Sequence, residues 1–376
     1  MDTSSEMIHG LLPVFLVSVL GASALSVGVI EGVAEATASV TKVFSGTVSD
    51  WIGKRKPLVL AGYGMAALTK PLFPLANSVG TVLVARFVDR IGKGVRGAPR
   101  DALIADITPT QSLGAAFGLR QSMDTVGAFI GPALAVVLMA ASGDNFRLVF
   151  WIAVVPAFAA VAVIIVWVRE PERTVTHVRR SPISRAQLRR LDRRYWQVVA
   201  FAAVLTLARF SEAFLLLRAQ GVGLADRYVP FVLIAMNVAY AASAYPLGRV
   251  SDRLGRRGLL GVGIALLVAA DLVLAAATGV WVVIIGAFLW GVHMGATQGI
   301  LSAIIADRAP AELRGTAFGF FNLLTGFALL AASLLAGSLW TVVGPSATFV
   351  AGAGFAAIAL AGLLSAFPRP RRRRPA

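Results

Sequence analysis

Apolar residues gather into twelve runs, at roughly 7–22, 25–47, 57–76, 79–105, 114–141, 147–168, 196–218, 229–250, 258–278, 281–307, 315–342 and 345–367. Most reach the twenty or so residues that a helix needs to cross the hydrocarbon core of a bilayer. A segment in lipid has to satisfy its own backbone, so runs of this length fold as helices. A Gly, Pro or charge inside one requires neighbouring helices around it. Composition agrees, with 57% hydrophobic residues, 14% charged residues and a mean hydropathy of +0.77. The expectation is an all-α polytopic membrane protein with twelve transmembrane helices.

One run breaks the apolar rule in a patterned way. RFVDRIGKGVRGAPRD, residues 86–101, carries Arg86, Asp89, Arg90, Lys93, Arg96 and Arg100. At helical spacing these fall within an arc of about 120°. Facing lipid, each charge costs about 2.5–3.5 kcal/mol at the bilayer centre. The stripe is therefore expected to face a protein interior or a water-filled cavity, as the polar wall of a transport pathway. Arg86 and Asp89 lie deepest in it. In the second run, Glu31, Glu35 and Lys42 share one helical face. Carboxylates in that setting are candidates for proton exchange or for static pairing with the stripe arginines.

The net charge of +16 raises a nucleic-acid role, and the placement of the charges dismisses it. Lys54, Arg55 and Lys56 follow the second run, an arginine-rich segment follows the sixth, Arg253, Arg256 and Arg257 follow the eighth, and Arg371 to Arg374 close the chain. The alternate loops GASAL, ANSVG, AATG and VVGPS hold no basic residue. This asymmetry places both termini in the cytoplasm, with the protein in a plasma membrane of the bacterial inner-membrane type. No nucleophile–base set, metal-ligand cluster or cofactor loop stands out, and there is no cysteine. Neither an enzyme, a metal site nor a bound cofactor is expected.

The first run is short, and Asp2, Ser5 and Glu6 precede it. The seventh holds the same pair, Ser211 and Glu212, well inside its apolar stretch. If the halves are repeats, the first helix lacks its opening turns, and the true start lies upstream of Met1. Asp2 and Glu6 are then expected inside the membrane.

The second run ends in GTVSDWIGKRK, and GRVSDRLGRR follows the eighth. These segments resemble the cytoplasmic signature of the major facilitator superfamily, carried here by Gly46, Asp50, Gly53, Lys54 and Arg55, and again by Gly248, Asp252, Arg253, Gly255 and Arg256. Trp51 replaces a usual basic residue in the first copy. Arg86, Gly92 and Gly94 resemble the fourth-helix pattern of the proton-coupled branches, with Arg90 in place of a small residue. Gly127, Gly131 and Pro132 resemble the motif of the drug/proton antiporters, although Ala135 and Val136 replace its final glycines. Arg120 and Asp124, four residues apart, are expected to form an ion pair on that helix.

The halves repeat in sequence. ALIAD ending at Asp106 returns as AIIAD ending at Asp307, and GAAFG at Gly114 returns as GTAFG at Gly315, each shifted by 307 − 106 = 201 residues. The expected organisation is a six-helix bundle over 1–168, a cytoplasmic arginine-rich linker over 169–195, and a second six-helix bundle with a basic tail over 196–376. Shifted by 201, the stripe maps onto Ala287, Trp290, Gly291, Met294, Thr297 and Leu301. Proton handling is thus expected mainly in the first half, through Glu31, Glu35, Arg86 and Asp89, with Glu212 from the second. Arg90, Lys93, Asn237, Tyr240, Trp290 and His293 are the candidates to line the substrate cavity, with Tyr245 beside them on the second-half wall.

The resemblance implies a secondary transporter of a small molecule, working by alternating access as a monomer in the bilayer, with protons as coupling ion. Export against proton influx is the leading expectation. The alternatives are uptake or exchange of an anionic metabolite, in which surplus basic residues bind substrate, and a membrane sensor that has lost transport.

Overall fold

A computed structural model of the chain describes residues 1–52, 54–109, 112–170, 190–308 and 314–366. Within the helices, the side chains of 47, 50, 113–115, 117, 118, 248–256, 299, 302, 303, 306, 307 and 314–316 are outside that description. Gly53, residues 171–189 of the expected linker, and the side chains of Asp50, Gly248, Asp252, Arg253, Gly255 and Arg256 therefore lie outside the described residues.

The described residues are helical, without a strand. The order is α1 (Asp2–His9), α2 (Leu12–Val14), a π-helical turn (Phe15–Val19), α3 (Ala24–Ile52), α4 (Lys56–Thr69), α5 (Leu72–Leu75), α6 (Val79–Ile107), α7 (Leu113–Ala141), α8 (Phe146–Trp167), α9 (Arg193–Leu207), α10 (Ala213–Gly221), α11 (Phe231–Ala275), α12 (Val280–Arg308), α13 (Arg314–Val342) and α14 (Pro345–Ala366). Side-chain caps open several helices: Ser78, Asn145 and Asp192 accept from the backbone N–H of Thr81, Leu148 and Tyr195. Pro71 sits where α4 gives way to α5, since its ring cannot donate to the helical ladder.

Helix α11 is one 45-residue run by backbone pattern, yet it holds two spans. Gly291 faces Met236 and Ala239, and Gly295 faces Ser243 and Ala244, so this arm runs parallel to α12. Gly263 faces Thr297, and Gly286 faces Leu274, so the later arm runs antiparallel to it. The chain thus reverses between Ala244 and Gly263. The first half repeats the arrangement: Gly62 faces Arg96 where Gly263 faces Thr297, both members shifted by 201 (263 − 62 and 297 − 96). Two six-helix repeats in parallel are the architecture.

Among the described residues, eight segments are long and apolar enough to cross a membrane by composition. They match the third, fifth, sixth and eighth to twelfth apolar runs. The other four fall short for physical reasons. α3 and α6 carry the charges, and the first and seventh runs are broken, into α1, α2 and the π-turn, and into α9 and α10. Those same four contribute most of the ionisable groups of the interior.

The two repeats meet along α3 and α13. Gly337 packs on Ala24 and Leu25, Gly28 on the carbonyl of Ser333, Gly32 on Leu330 and Gly326 on Ser39. A Cβ on Gly32 would stand 2.9 Å from Leu330, and one on Gly326 would stand 2.5 Å from Ser39. Glycine permits this close approach over about four turns of helix. At the end of the molecule away from Lys54–Lys56, Arg227 pairs with Asp144 at 2.6 Å and Gln220 donates to Ser18 Oγ at 2.6 Å. Asp144 holds a left-handed backbone (φ 65°) in the turn after α7, a conformation uncommon outside glycine. That end is closed.

Candidate functional site

Beyond Ser39 and Gly326, toward the basic end, α3 and α13 part around a cavity of about 480 Å3. Five acids line it: Asp2, Glu6, Glu35, Asp101 and Asp124. Five cations join them: Lys42, Lys93, Arg96, Arg100 and Arg120. The second repeat adds Asn237, Tyr240, Asn322 and Thr325, all uncharged. Tyr240, Asn322 and Thr325 stand 201 residues from Ser39, Gln121 and Asp124, which line the same cavity. The two repeats therefore present equivalent positions to one space.

Its floor is a buried ionic network. Arg86 donates to Glu31 Oε2 at 2.9 Å, with both side chains 2% exposed. Arg90 meets Glu35 at 3.3 Å. Lys70, fully buried, donates to Asp89 at 2.9 Å and to Ser5 Oγ at 3.0 Å, tying the third, fourth and first spans together. Buried charges survive in such places only when they are paired. His9 sits between two carboxylates, with Nδ1 3.5 Å from Glu6 and Nε2 3.7 Å from Glu31. Glu6 is 30% exposed and Glu31 2%, so the imidazole joins the cavity wall to the buried pair.

Toward the basic end the pairs are wetter. Asp2 lies 4.0 Å from Arg96, whose guanidinium also covers the Tyr63 ring at 4.6 Å. Asp101 pairs with Arg100 and Arg120, and the expected Arg120–Asp124 pair forms at 2.8 Å. Four of the five acids lining the cavity thus have an arginine within 4.0 Å, and Glu6 has the His9 imidazole, a cation only when protonated. Lys42 and Lys93, both exposed to the cavity, have no ion pair among the described residues.

The glycines that resemble the antiporter motif form a seat for α1. Gly127 faces Asp2, and Gly131 faces Thr3 and Glu6, where a Cβ would stand 2.6 Å from that of Glu6. Arg55 of the first signature reaches Ser49 on α3 and Asp106 on α6, while Glu170 accepts from the backbone N–H groups of Arg55 and Lys56 at 2.6 Å. Gly46 packs on Ala98. These contacts lock α3, α6 and the end of α8 together on the basic face.

Glu31, Glu35, Arg86 and Asp89 come together as the sequence suggests, and Lys93, Asn237 and Tyr240 line the cavity. Three cavity candidates do not. Arg90 is turned behind Glu35 by its ion pair. Trp290 is 2% exposed, packed at 5.4 Å on Phe210 in the core of the second repeat. His293 is fully buried, its Nδ1 2.7 Å from the Gly263 carbonyl. Tyr245 is 71% exposed and absent from the lining. Glu212 lies at the break between α9 and α10, without an ion pair among the described residues but close enough to His9, Glu6 and Glu35 for their charges to act on it. His9, Asn322 and Thr325 escaped the sequence reading, although His9 is three residues from Glu6 and the other two follow from the repeat offset.

Comparison with known proteins agrees with this fold. The family profile described as Major Facilitator Superfamily matches residues 1–235 and again 213–376. An uncharacterised MFS-type transporter of Methanocaldococcus jannaschii is 31% identical over 97% of this chain and 91% of its own. A gentisate transporter of Corynebacterium glutamicum is 25% identical over 85% of this chain and 74% of its own. Among solved structures, the nucleoside transporter NupG superposes with a TM-score of 0.77 at 13% identity, covering 97% of this chain and 96% of that one. The chain is an integral membrane secondary transporter and belongs to the major facilitator superfamily.

Proposed function

We propose that this transporter couples proton movement to transport of a small molecule, through the line Glu6–His9–Glu31–Arg86. The observation that carries the reading is the position of His9, within ion-pair distance of one cavity carboxylate and one buried carboxylate. A proton reaching Glu6 from the cavity passes to His9 Nδ1. The imidazole then releases its other proton from Nε2 to Glu31. A neutral Glu31 no longer holds Arg86, and the pair at 2.9 Å is the most deeply buried ion pair between α3 and α6. Glu31 is flanked by Gly28 and Gly32, the residues that seat α3 on α13. Protonation and the packing of the two repeats thus meet on one helix. Rocking of the halves, 1–168 and 196–376, about this seam gives alternating access.

By the placement of basic residues, the cavity end of a monomer faces the cytoplasm and both termini lie there, in the plasma membrane. The closed end, with Arg227 and Asp144, faces outward.

The test is proton flux in proteoliposomes carrying the full chain and an internal pH-sensitive dye. A panel of cationic and anionic compounds is added under an imposed pH gradient. The expected result is a substrate-dependent proton signal that His9→Gln removes. A His9→Gln protein with the full proton signal rejects the relay.

A further inference from the structure

The pairing pattern in the cavity carries a statement about what enters it. Four of the five lining acids already have an arginine and Glu6 has the His9 imidazole, while two lining cations, Lys42 and Lys93, have no acid within 4.0 Å among the described residues. Lys42 lies along Gly97, one turn from Lys93, so both ammonium groups rise from the same part of the first repeat. The other repeat contributes Asn237, Tyr240, Asn322 and Thr325, which offer hydrogen bonds and no charge.

We infer that the substrate is a small organic anion whose acidic group is held between Lys42 and Lys93 and whose neutral polar groups meet Asn237, Tyr240, Asn322 and Thr325. A cationic substrate would find four of the five lining acids held by arginines and would add its charge to the two lysines. A cavity of about 480 Å3 takes a molecule of metabolite size. The lysines act as point charges on flexible stems, without the planar fork that selects a carboxylate geometry. Carboxylates and phosphates are therefore both admitted by the chemistry, and the test separates them. Removal of one lysine lowers affinity for the anion; neither lysine makes an ion pair with Glu6, His9, Glu31 or Arg86, although the charge of Lys93 acts on Glu6.

This inference rests on the transport reading, and counterflow separates it from the coupling mechanism, since exchange of labelled for unlabelled substrate needs no proton gradient. Proteoliposomes of the full chain are loaded in turn with 4-hydroxybenzoate, ribose 5-phosphate or ethidium, and uptake of the same labelled compound is followed. Counterflow of 4-hydroxybenzoate or ribose 5-phosphate is expected, and which of the two identifies the acidic group. Lys93→Gln is expected to raise the half-saturating concentration at least tenfold, with Lys93→Arg close to native. Size-exclusion profiles show whether each variant is folded, and Lys42→Gln provides an independent second variant. Counterflow of ethidium alone, of none of the three, or of an anion with unchanged half-saturation in both glutamine variants overturns the inference. Anion counterflow without any proton signal leaves it standing and rejects the proton line instead.

Discussion

Glu31 and Arg86 lie 2.9 Å apart in the interior, each 2% exposed, with Arg86 Nε and Glu31 Oε1 left without a hydrogen-bond partner. A pair so little exposed and only half satisfied is held by its mutual charge. Arg86→Ala therefore leaves a buried carboxylate without its cation, a change that costs about 3–5 kcal/mol in comparable sites. The double variant Glu31→Gln with Arg86→Met removes both charges and is expected to regain most of that stability while remaining uncoupled. Unfolding midpoints in detergent and proton flux in proteoliposomes measure the two effects. Native coupling in the double variant would falsify the role of the pair.

The glycine seam gives a second expectation. Gly28→Leu drives a side chain into the Ser333 carbonyl, so α3 and α13 cannot close at the outer end. The protein is expected to stay folded, to lose at least tenfold in transport, and to rest with that end open. Because the chain has no cysteine, a single one placed at Ser18 reports the state and leaves the Arg227–Asp144 pair intact. Faster labelling by an impermeant thiol reagent in the Gly28→Leu background is the expected result, and an unchanged rate speaks against the seam as the closing surface.

Arg227 and Asp144 form the closing pair at that end, with side chains 37% and 39% exposed. Exposed pairs contribute about 0.2–1 kcal/mol, which moves a two-state equilibrium by about 1.4- to 5-fold. Arg227→Asp should increase thiol labelling at the outer end by a factor in that range, again with the reporter cysteine at Ser18. Exchanging the two charges should restore it.

Asp271 is the converse of Lys70. The two stand 201 residues apart at equivalent positions, yet Lys70 is paired with Asp89, while both Asp271 oxygens are buried without a partner. Trp290 occupies the place of Asp89 in the second repeat. Asp271→Asn is expected to leave the unfolding midpoint unchanged or higher. Lys70→Met, which strands Asp89, is expected to lower stability by about 3–5 kcal/mol. A large loss on Asp271→Asn would reveal a partner formed in another conformation.

Much of this was legible in the sequence, because lipid punishes unpaired charge. The 100° spacing put Arg86, Asp89 and Arg90 on one face, and Glu31 and Glu35 were the acids able to meet them. The repeat offset was less informative about side chains. It located Trp290 at the backbone equivalent of Asp89, but an indole fills volume and packs on Phe210 where a carboxylate would reach for a cation. His293 was misplaced for a similar reason, since its ring turns to the Gly263 carbonyl and away from the cavity. His9 was overlooked because its two partners lie on different helices, one of them 22 residues away in sequence (31 − 9). Pairing across helices leaves no periodic trace.

The division of the helices into eight that are apolar enough to cross a membrane and four that are not bears on how the chain is made. During synthesis, α3 and α6 would each arrive at the insertion machinery with charges costing about 2.5–3.5 kcal/mol apiece at mid-membrane. Neither can settle in lipid alone. Their entry depends on a neighbour already in place, with Glu31 finding Arg86 and Asp89 finding Lys70 as the helices leave the machinery. The ion pairs that fill the interior of the finished protein also offset the cost of carrying charged helices into the membrane.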